Sequence, residues 1–285
     1  MPPLRNRALG LAARAAKLGA LFVSLILSGC RGERPLPPGA RELAARMVAG
    51  KFSASDGALD VPYQLFVPAP PSAAKRYPLL VILHGAGTHG TDNLRQLSPP
   101  VGALIDRAQS LEPTFVLVPQ DPKGDKWVTG SGDAPYRNYR QAERPQSAAS
   151  RLVLAGIDEL TTRYAIDADR IYLTGGSAGG TGTWDFITRG GIGRFAAAIP
   201  VTGANDPSRA AVIAQLPIWA FHGAQDSVAP VENTREMVAR LRALGSPVRY
   251  SEYPDLGHES WNRAYAEPEL FPWLFAQRRP AGAQH

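Results

Sequence analysis

The chain has 285 residues, 44% of them hydrophobic, with 31 basic and 25 acidic side chains and a formal net charge of +6. This length and composition suit one domain with a large buried core. Four positive charges lie in the first 29 residues, which hold no acid, so the remainder carries only 6 − 4 = +2. A nearly neutral domain gives no support to nucleic-acid binding.

The first 29 residues have the organisation of a secretory signal. A basic start precedes an apolar run over residues 18–27, which is shorter than the roughly 20 residues of a membrane-spanning helix. The segment ends in Leu27-Ser28-Gly29-Cys30, which resembles the lipobox of bacterial lipoproteins. That resemblance implies cleavage after residue 29, lipidation of Cys30 and export to the bacterial cell envelope. The alternative is an ordinary cleavage site beside a lone thiol.

Cys30 is the only cysteine, so the mature chain forms no internal disulfide and has no cysteine nucleophile in its folded body. Residues 30–40 are rich in proline and predict a tether between membrane and domain. The domain is expected over residues 41–279, with 280–285 as a flexible tail.

Apolar and β-branched runs closed by Pro or Gly predict seven strands: Pro62–Val67, Leu79–Leu83, Phe115–Val118, Arg170–Thr174, Ala197–Val201, Ile218–Phe221 and Val248–Tyr253. Segments of helical period lie between or after them: Asn93–Ser110, Ser147–Tyr164, Thr181–Arg189, Glu232–Leu244 and Glu267–Gln277. This alternation predicts a single α/β domain with a mostly parallel central sheet and helices on both faces.

The most informative motif is Gly175-Gly176-Ser177-Ala178-Gly179, which follows a predicted strand and opens a predicted helix. A serine at such a turn projects its hydroxyl above the sheet, and the flanking glycines allow close approach of strand and helix. The amide of Ala178, at the helix start, is placed to donate to a developing oxyanion. We therefore predict that Ser177 is a nucleophile. A glycine-rich loop with a capping serine is the structural alternative.

A serine nucleophile needs a histidine base and a carboxylate that orients it. His258 follows the last predicted strand and is the predicted base. Asp226 follows the preceding strand and is the predicted acid, with Asp206 and Asp255 as rivals. The order Ser177, Asp226, His258 is that of the α/β-hydrolases. His84 and His222 end predicted strands, His89 lies in a glycine-rich loop and His285 is the last residue of the sequence, so these four histidines are weaker candidates for the base than His258.

The remaining site residues follow from neighbouring loops. Gly85 and Ala86 come directly after the strand Leu79–Leu83 and are predicted to supply the second oxyanion amide. The long loop from Gln120 to Pro145 is predicted to be functional because of its length and its aromatic residues. Predicted pocket residues are Trp127, His89 and Trp261, while Tyr136 and Tyr139 could also line or cover the pocket.

Together these residues resemble the α/β-hydrolase superfamily, and in particular the branch of secreted esterases, polyhydroxybutyrate-depolymerase-like and feruloyl-esterase-like enzymes and predicted peptidases. The similar stretches are Tyr77–Gly87, the serine turn with Gly182-Thr183-Trp184, Pro217–Gly223 and Gly257–Trp261. The resemblance covers about Pro62 to Phe275 and implies an ester-cleaving hydrolase domain without a cofactor. Ala178 departs from the branch, which usually has Met after the nucleophile.

The expected activity is hydrolysis of a carboxylic ester through an acyl-enzyme. Its substrate is a small or oligomeric ester, and its only other expected partner is the membrane, through Cys30. No metal site is expected, because no two histidines have ligand spacing outside these loops. The alternatives are a serine peptidase of the same fold and a catalytically silent, lipid-anchored binding protein.

Overall fold

The computed structural model describes residues 35–68, 75–130, 139–190 and 193–279. The predicted signal, Cys30, Tyr136 and the tail at 280–285 therefore lie outside the described residues. The strands are β1 Val48–Ser53, β2 Asp60–Phe66, β3 Tyr77–Leu83, β4 Phe115–Pro119, β5 Ile166–Gly176, β6 Ala197–Val201, β7 Trp219–Gly223 and β8 Arg249–Tyr253. The helices are α1 Ala40–Ala44, α2 Pro99–Leu111, α3 Ala148–Arg163, α4 Ala178–Gly190, α5 Val231–Ala243, α6 Trp261–Ala266 and α7 Leu270–Phe275.

The strands form one sheet in the order β1-β2-β4-β3-β5-β6-β7-β8. β1 and β2 are antiparallel to their neighbours, whereas β4, β3, β5, β6, β7 and β8 are mutually parallel. The parallel strands all end at the same edge of the sheet, where the loops after β3, β5, β7 and β8 meet. The predicted α/β fold with a mostly parallel sheet is confirmed.

The two faces of the sheet carry separate apolar cores. Alternate residues of β3 point to opposite faces. Val81 therefore packs with α3, α4 and α5, and Leu80 packs with α1, α2 and α7. Every residue of β3 is buried, as expected of a central parallel strand covered on both sides. Among the described residues, no helix combines the length and apolarity that spanning a membrane requires.

Three elements were absent from the sequence prediction. β1 is an edge strand with a single buried residue, Phe52, so it has no apolar run. α1 and α6 are only 5 and 6 residues long, too short to show a helical period. The predicted helix over Asn93–Ser110 begins only at Pro99, because prolines are favoured in a first turn and disfavour helical backbone before them.

Gly179 marks the closest approach between helix α4 and strand β3. A Cβ added to it would lie 2.0 Å from the carbonyl oxygen of Leu83. Because that neighbour is backbone in a buried strand, we expect Gly179→Ala to lower the free energy of unfolding by more than about 3 kcal/mol, or to prevent soluble expression. Gly124→Ala is the matched control, since its added Cβ meets nothing within 4 Å. Equal urea midpoints for the two variants would contradict this packing.

Candidate active site

Ser177 occupies the sharp turn between β5 and α4. Its φ of 58° is in the left-handed region, which costs a non-glycine residue about 1–2 kcal/mol. The turn is held by the Ser177 amide, which donates to the carbonyl of Val201 at 3.0 Å. Gly175 cannot carry a side chain, because an added Cβ would lie 2.5 Å from the backbone of Gly179. The predicted strand–turn–helix context of this serine is therefore present.

Ser177, His258 and Asp226 form a continuous hydrogen-bonded chain. The Oγ of Ser177 lies 2.7 Å from Nε2 of His258. The Nδ1 of His258 lies 2.8 Å from Oδ2 of Asp226. His258 stands on the loop after β8 and Asp226 on the loop after β7. Three loops at one sheet edge thus bring a nucleophile, a base and an acid into line, an arrangement able to activate the serine.

The carboxylate of Asp226 is kept ionised by its neighbours. Burial alone would raise its pKa, but donors from His222 and His258 and the amide of Ala229 hold the pKa well below its usual range. Oδ1 accepts from the amides of Val228 and Ala229 at 2.8 and 2.9 Å. His222 is fully buried, and its Nε2 lies 3.2 Å from Oδ2 of Asp226. His222 therefore helps to hold the Asp226 carboxylate in place.

The rival acids have other partners. Asp206 accepts the amide of Gln141 at 2.8 Å and the hydroxyl of Ser208 at 2.6 Å. Asp255 is exposed and pairs with Arg263 at 2.9 Å. The structure thus brings Asp226 to His258, and it holds both rivals in other contacts.

The predicted oxyanion residues flank the serine. Ala178 is the first residue of α4, so its amide lies at a helix N-terminus, where anions are favoured. Gly85 precedes a short 3-10 turn over Ala86–Thr88, and a Cβ added to Gly85 would lie 3.8 Å from the Cβ of Ser177. The two loops therefore border the nucleophile from both sides.

A cleft of about 500 Å³ opens beside Ser177. Its walls come from the end of β3 and the loop after it, the start of α2 and the segment leading into α6. Trp261 lines the cleft as predicted and packs edge-on against the His258 ring at 5.7 Å. The α2 wall, with Val101 and Leu104, was missed by sequence reasoning. The Pro99-Pro100 pair is the signal that could have placed the start of that helix.

The predicted pocket roles of Trp127 and His89 need correction. Trp127 is 1% exposed, and its indole N–H donates to the carbonyl of His84 at 2.9 Å. Trp127 is therefore a residue of the core and not of the cleft wall. The Nδ1 of His89 donates to the carboxylate of Asp121, and His89 is not among the described residues that line the cleft. Tyr139 is also buried, and its hydroxyl donates to Asp185. Trp127 and Tyr139, the two aromatic residues of this loop that are described, therefore fill the interior instead of the pocket.

His84, His89 and Asp121 are the one group of described residues able to hold a metal ion, with ligand atoms within 4.8 Å of one another. Sequence reasoning missed this grouping because it brings two loops together. Hydrogen bonds already join the three, since Nε2 of His84 accepts from the Asp121 amide at 3.1 Å and Nδ1 of His89 donates to the Asp121 carboxylate. The Nδ1 of His84 donates to the carbonyl of Gly85 at 2.8 Å. Burial would raise the pKa of Asp121, but the two histidines lower it overall. The cluster therefore braces the loop that carries Gly85 and Ala86.

Comparisons with known proteins find similarity to one protein family and to several solved structures. Residues 133–269 match the model of the dienelactone hydrolase family. A solved thermostable esterase is 38% identical, with a TM-score of 0.75 over 84% of this chain and 64% of that one. The present chain thus spans 64% of the length of that esterase.

Two further solved structures share the fold at lower identity. A ferulic acid esterase is 16% identical, with a TM-score of 0.60 over 80% of this chain and 97% of that one. An acylaminoacyl peptidase is 16% identical, with a TM-score of 0.55 over 82% of this chain and 41% of that one. The chain therefore has the α/β-hydrolase fold.

Proposed function

We propose that this protein is a serine esterase that hydrolyses carboxylic esters through an acyl-enzyme. The observation that carries the proposal is the hydrogen-bonded chain of 2.7 Å and 2.8 Å contacts from Ser177 through His258 to Asp226. The cleft beside Ser177, and the backbone amides of Ala178 and of the Gly85–Ala86 loop, add the other parts that ester cleavage needs.

The first half of the reaction forms the acyl-enzyme. His258 Nε2 accepts the Ser177 proton as Oγ attacks the ester carbonyl carbon, while Asp226 keeps Nδ1 protonated and holds the ring in place. The amides of Ala178 and of Gly85 or Ala86 stabilise the oxyanion. Losing one such donor typically costs about 3–4 kcal/mol in the transition state. The C–O bond to the alcohol then breaks, and the alcohol leaves with the proton held on His258.

The second half releases the acid. A water molecule loses a proton to Nε2 of His258 and attacks the acyl carbon, giving a second tetrahedral intermediate on the same donors. Its collapse expels Ser177 Oγ, which recovers the proton from His258. One ester and one water thus give one carboxylic acid and one alcohol, and the serine, histidine and aspartate return to their starting states.

A fluorophosphonate probe tests this proposal directly. We expect it to label Ser177 alone, identified by mass spectrometry of the labelled peptide, because only an activated serine attacks the phosphorus centre. In parallel, 4-nitrophenyl hexanoate should be turned over far faster than the matching 4-nitroanilide, since the amide has a poorer leaving group. No labelling would support a silent binding protein, and a faster anilide would support a peptidase.

We also propose that the enzyme is exported and anchored to the cell envelope by a lipid on Cys30. The support is the lipobox-like Leu27–Cys30 sequence after an apolar run. Expressed in a bacterium with an alkyne-palmitate label, the full chain should carry the label and fractionate with membranes. Cys30→Ala should lose both properties without losing esterase activity. A labelled or membrane-bound Cys30→Ala protein would contradict the anchor.

A further inference from the structure

The base of the proposed triad is fixed along one axis by its hydrogen bonds. The ring nitrogens of His258 lie 2.7 Å from Oγ of Ser177 and 2.8 Å from Oδ2 of Asp226. These contacts hold the line through the two nitrogens, but they leave the ring free to turn about that line. The side chain is also 18% exposed, so solvent borders part of it. Because a displacement of about 1 Å can cost a hundredfold in rate, a further contact is needed to hold the ring.

Trp261 makes such a contact. Its indole ring packs at right angles against the His258 ring, with 5.7 Å between the ring centroids, which is a favourable arrangement of two aromatic rings. The same side chain lies against the backbone of the serine turn, since a Cβ added to Gly176 would lie 3.5 Å from both Cβ and Cε3 of Trp261. One side chain therefore contacts both the base and the residue that precedes the nucleophile.

Helix α6, which begins at Trp261, is anchored to the centre of the sheet. Thr174 of β5 donates its hydroxyl proton to the carbonyl of Ile199 at 2.7 Å. The hydroxyl of Tyr265, 3.1 Å from Thr174 Oγ1, is therefore the donor in that second contact. On its other side, α6 is tied to α2, because the guanidinium of Arg107 donates to the carbonyl of Tyr265 at 2.6 Å. These contacts hold α6 between a central strand and the α2 wall of the cleft.

The base and the indole are thus held by different parts of the sheet. His258 stands on the loop after the edge strand β8, in which only Tyr253 is buried. Trp261 is held by β5 through α6, and β5 ends directly before Ser177. The indole therefore fixes the position of the imidazole relative to the strand that carries the nucleophile.

Building on the proposed esterase function, we propose that Trp261 is a positioning residue, whose indole ring holds the His258 imidazole in line between Ser177 and Asp226. The role depends on an aromatic ring and not on apolar bulk alone, because such a ring is rigid and has only two side-chain torsions. Trp261 also lines the cleft, so the alternative is that it only contacts the acyl group of the substrate. The two roles differ in whether kcat or KM changes when the ring is removed.

Trp261→Leu and Trp261→Phe, assayed with 4-nitrophenyl acetate and 4-nitrophenyl hexanoate, test the inference. His258 moves the proton in both halves of the proposed reaction, so a misplaced base slows acylation and deacylation together. In Trp261→Leu we therefore expect kcat to fall about ten- to a hundredfold for both esters, with KM within about twofold of the wild-type value. The rate of fluorophosphonate labelling should fall as well, since that reaction needs the base but no acyl group. Trp261→Phe keeps an aromatic ring and should retain kcat to within about threefold of the wild-type protein.

Trp273→Leu is the matched control. Trp273 is a partly buried tryptophan of α7 that packs edge-on against Trp219 at 5.4 Å. Because Trp219 begins β7, this pair lies at the opposite edge of the sheet from Ser177. The substitution removes a tryptophan of similar burial and should leave kcat for both esters within about twofold of the wild-type value. Circular dichroism and melting temperatures establish that the variants fold, and if Trp261→Leu does not, Trp261→Met takes its place with the same expected result.

The outcomes separate the positioning role from the esterase function. A higher KM for hexanoate with kcat unchanged for both esters would make Trp261 a wall of the cleft only, and would overturn the positioning role. Equal losses in Trp261→Leu and Trp273→Leu, or a Trp261→Phe variant as slow as Trp261→Leu, would also overturn it. In each of these cases turnover by the wild-type protein leaves the esterase function standing. Absence of hydrolysis and of fluorophosphonate labelling in the wild-type protein would instead contradict the esterase function itself.

Discussion

Ser177→Ala is expected to lower kcat for 4-nitrophenyl hexanoate by roughly five to six orders of magnitude, because the acyl-enzyme cannot form without Oγ. The hydroxyl contributes little to the fold, so the variant should remain folded. Residual turnover would come from the oxyanion donors and substrate binding alone. Stopped assays with the purified variant, checked by mass spectrometry for wild-type contamination, measure the loss. A fall of less than a hundredfold would remove Ser177 from the nucleophile role.

The same position links activity to stability. Ser177 has a φ of 58°, and alanine inherits that strain, whereas glycine adopts the conformation without penalty. We therefore expect Ser177→Gly to be as inactive as Ser177→Ala but to resist urea unfolding better, by about 1 kcal/mol. Equal unfolding free energies would mean that the turn is not strained.

Asp226→Asn is expected to lower kcat by about 10⁴-fold with little change in the fold. An amide in place of the carboxylate can donate to Nδ1 of His258, which stabilises the wrong imidazole tautomer and leaves the emerging imidazolium uncompensated. Asp255→Asn is the matched control, because Asp255 was a sequence-level rival and pairs with Arg263 at the surface. It should retain activity within about twofold of the wild-type protein. Similar losses in both variants would contradict the assignment of Asp226.

The low pKa of Asp226 also predicts how Asp226→Asn changes the pH dependence of the unfolding free energy. The folded-state pKa lies below the unfolded value of about 3.9. The carboxylate therefore contributes stability that is present above about pH 4 and is lost as pH falls towards the folded pKa. Between pH 5 and pH 3 the unfolding free energy of Asp226→Asn should fall less steeply than that of the wild-type protein. Parallel slopes would contradict this linkage.

Much of the fold follows from local pattern. A short apolar run that contains β-branched residues and ends at a proline, such as Phe115–Val118, favours a strand covered on both faces, and the structure contains that strand as β4. The placement of His258 next to Ser177 was also foreseeable, since loops after neighbouring parallel strands meet at one sheet edge. In both cases the information lies within a few consecutive residues.

Other features depend on contacts between distant segments. Trp127 looked like a pocket residue because it is aromatic and lies in a long loop, yet its indole bonds to the carbonyl of His84 and fills the core. Likewise, nothing local to Asp121 shows that its carboxylate accepts a hydrogen bond from His89. His84 and Trp127 are 43 positions apart, and no local signal in the sequence indicates that the two are in contact.

The position of β8 at the end of the sheet has a consequence for how the proposed activity is lost on unfolding. Ser177 follows the central strand β5, but His258 stands on the loop after an edge strand with a single buried residue, Tyr253. Edge elements with few buried contacts open at lower free energy than the whole domain. Mild heat or denaturant should thus detach the base while the rest of the sheet is intact. We therefore expect esterase activity to be lost reversibly at a lower denaturant concentration than that which unfolds the rest of the sheet.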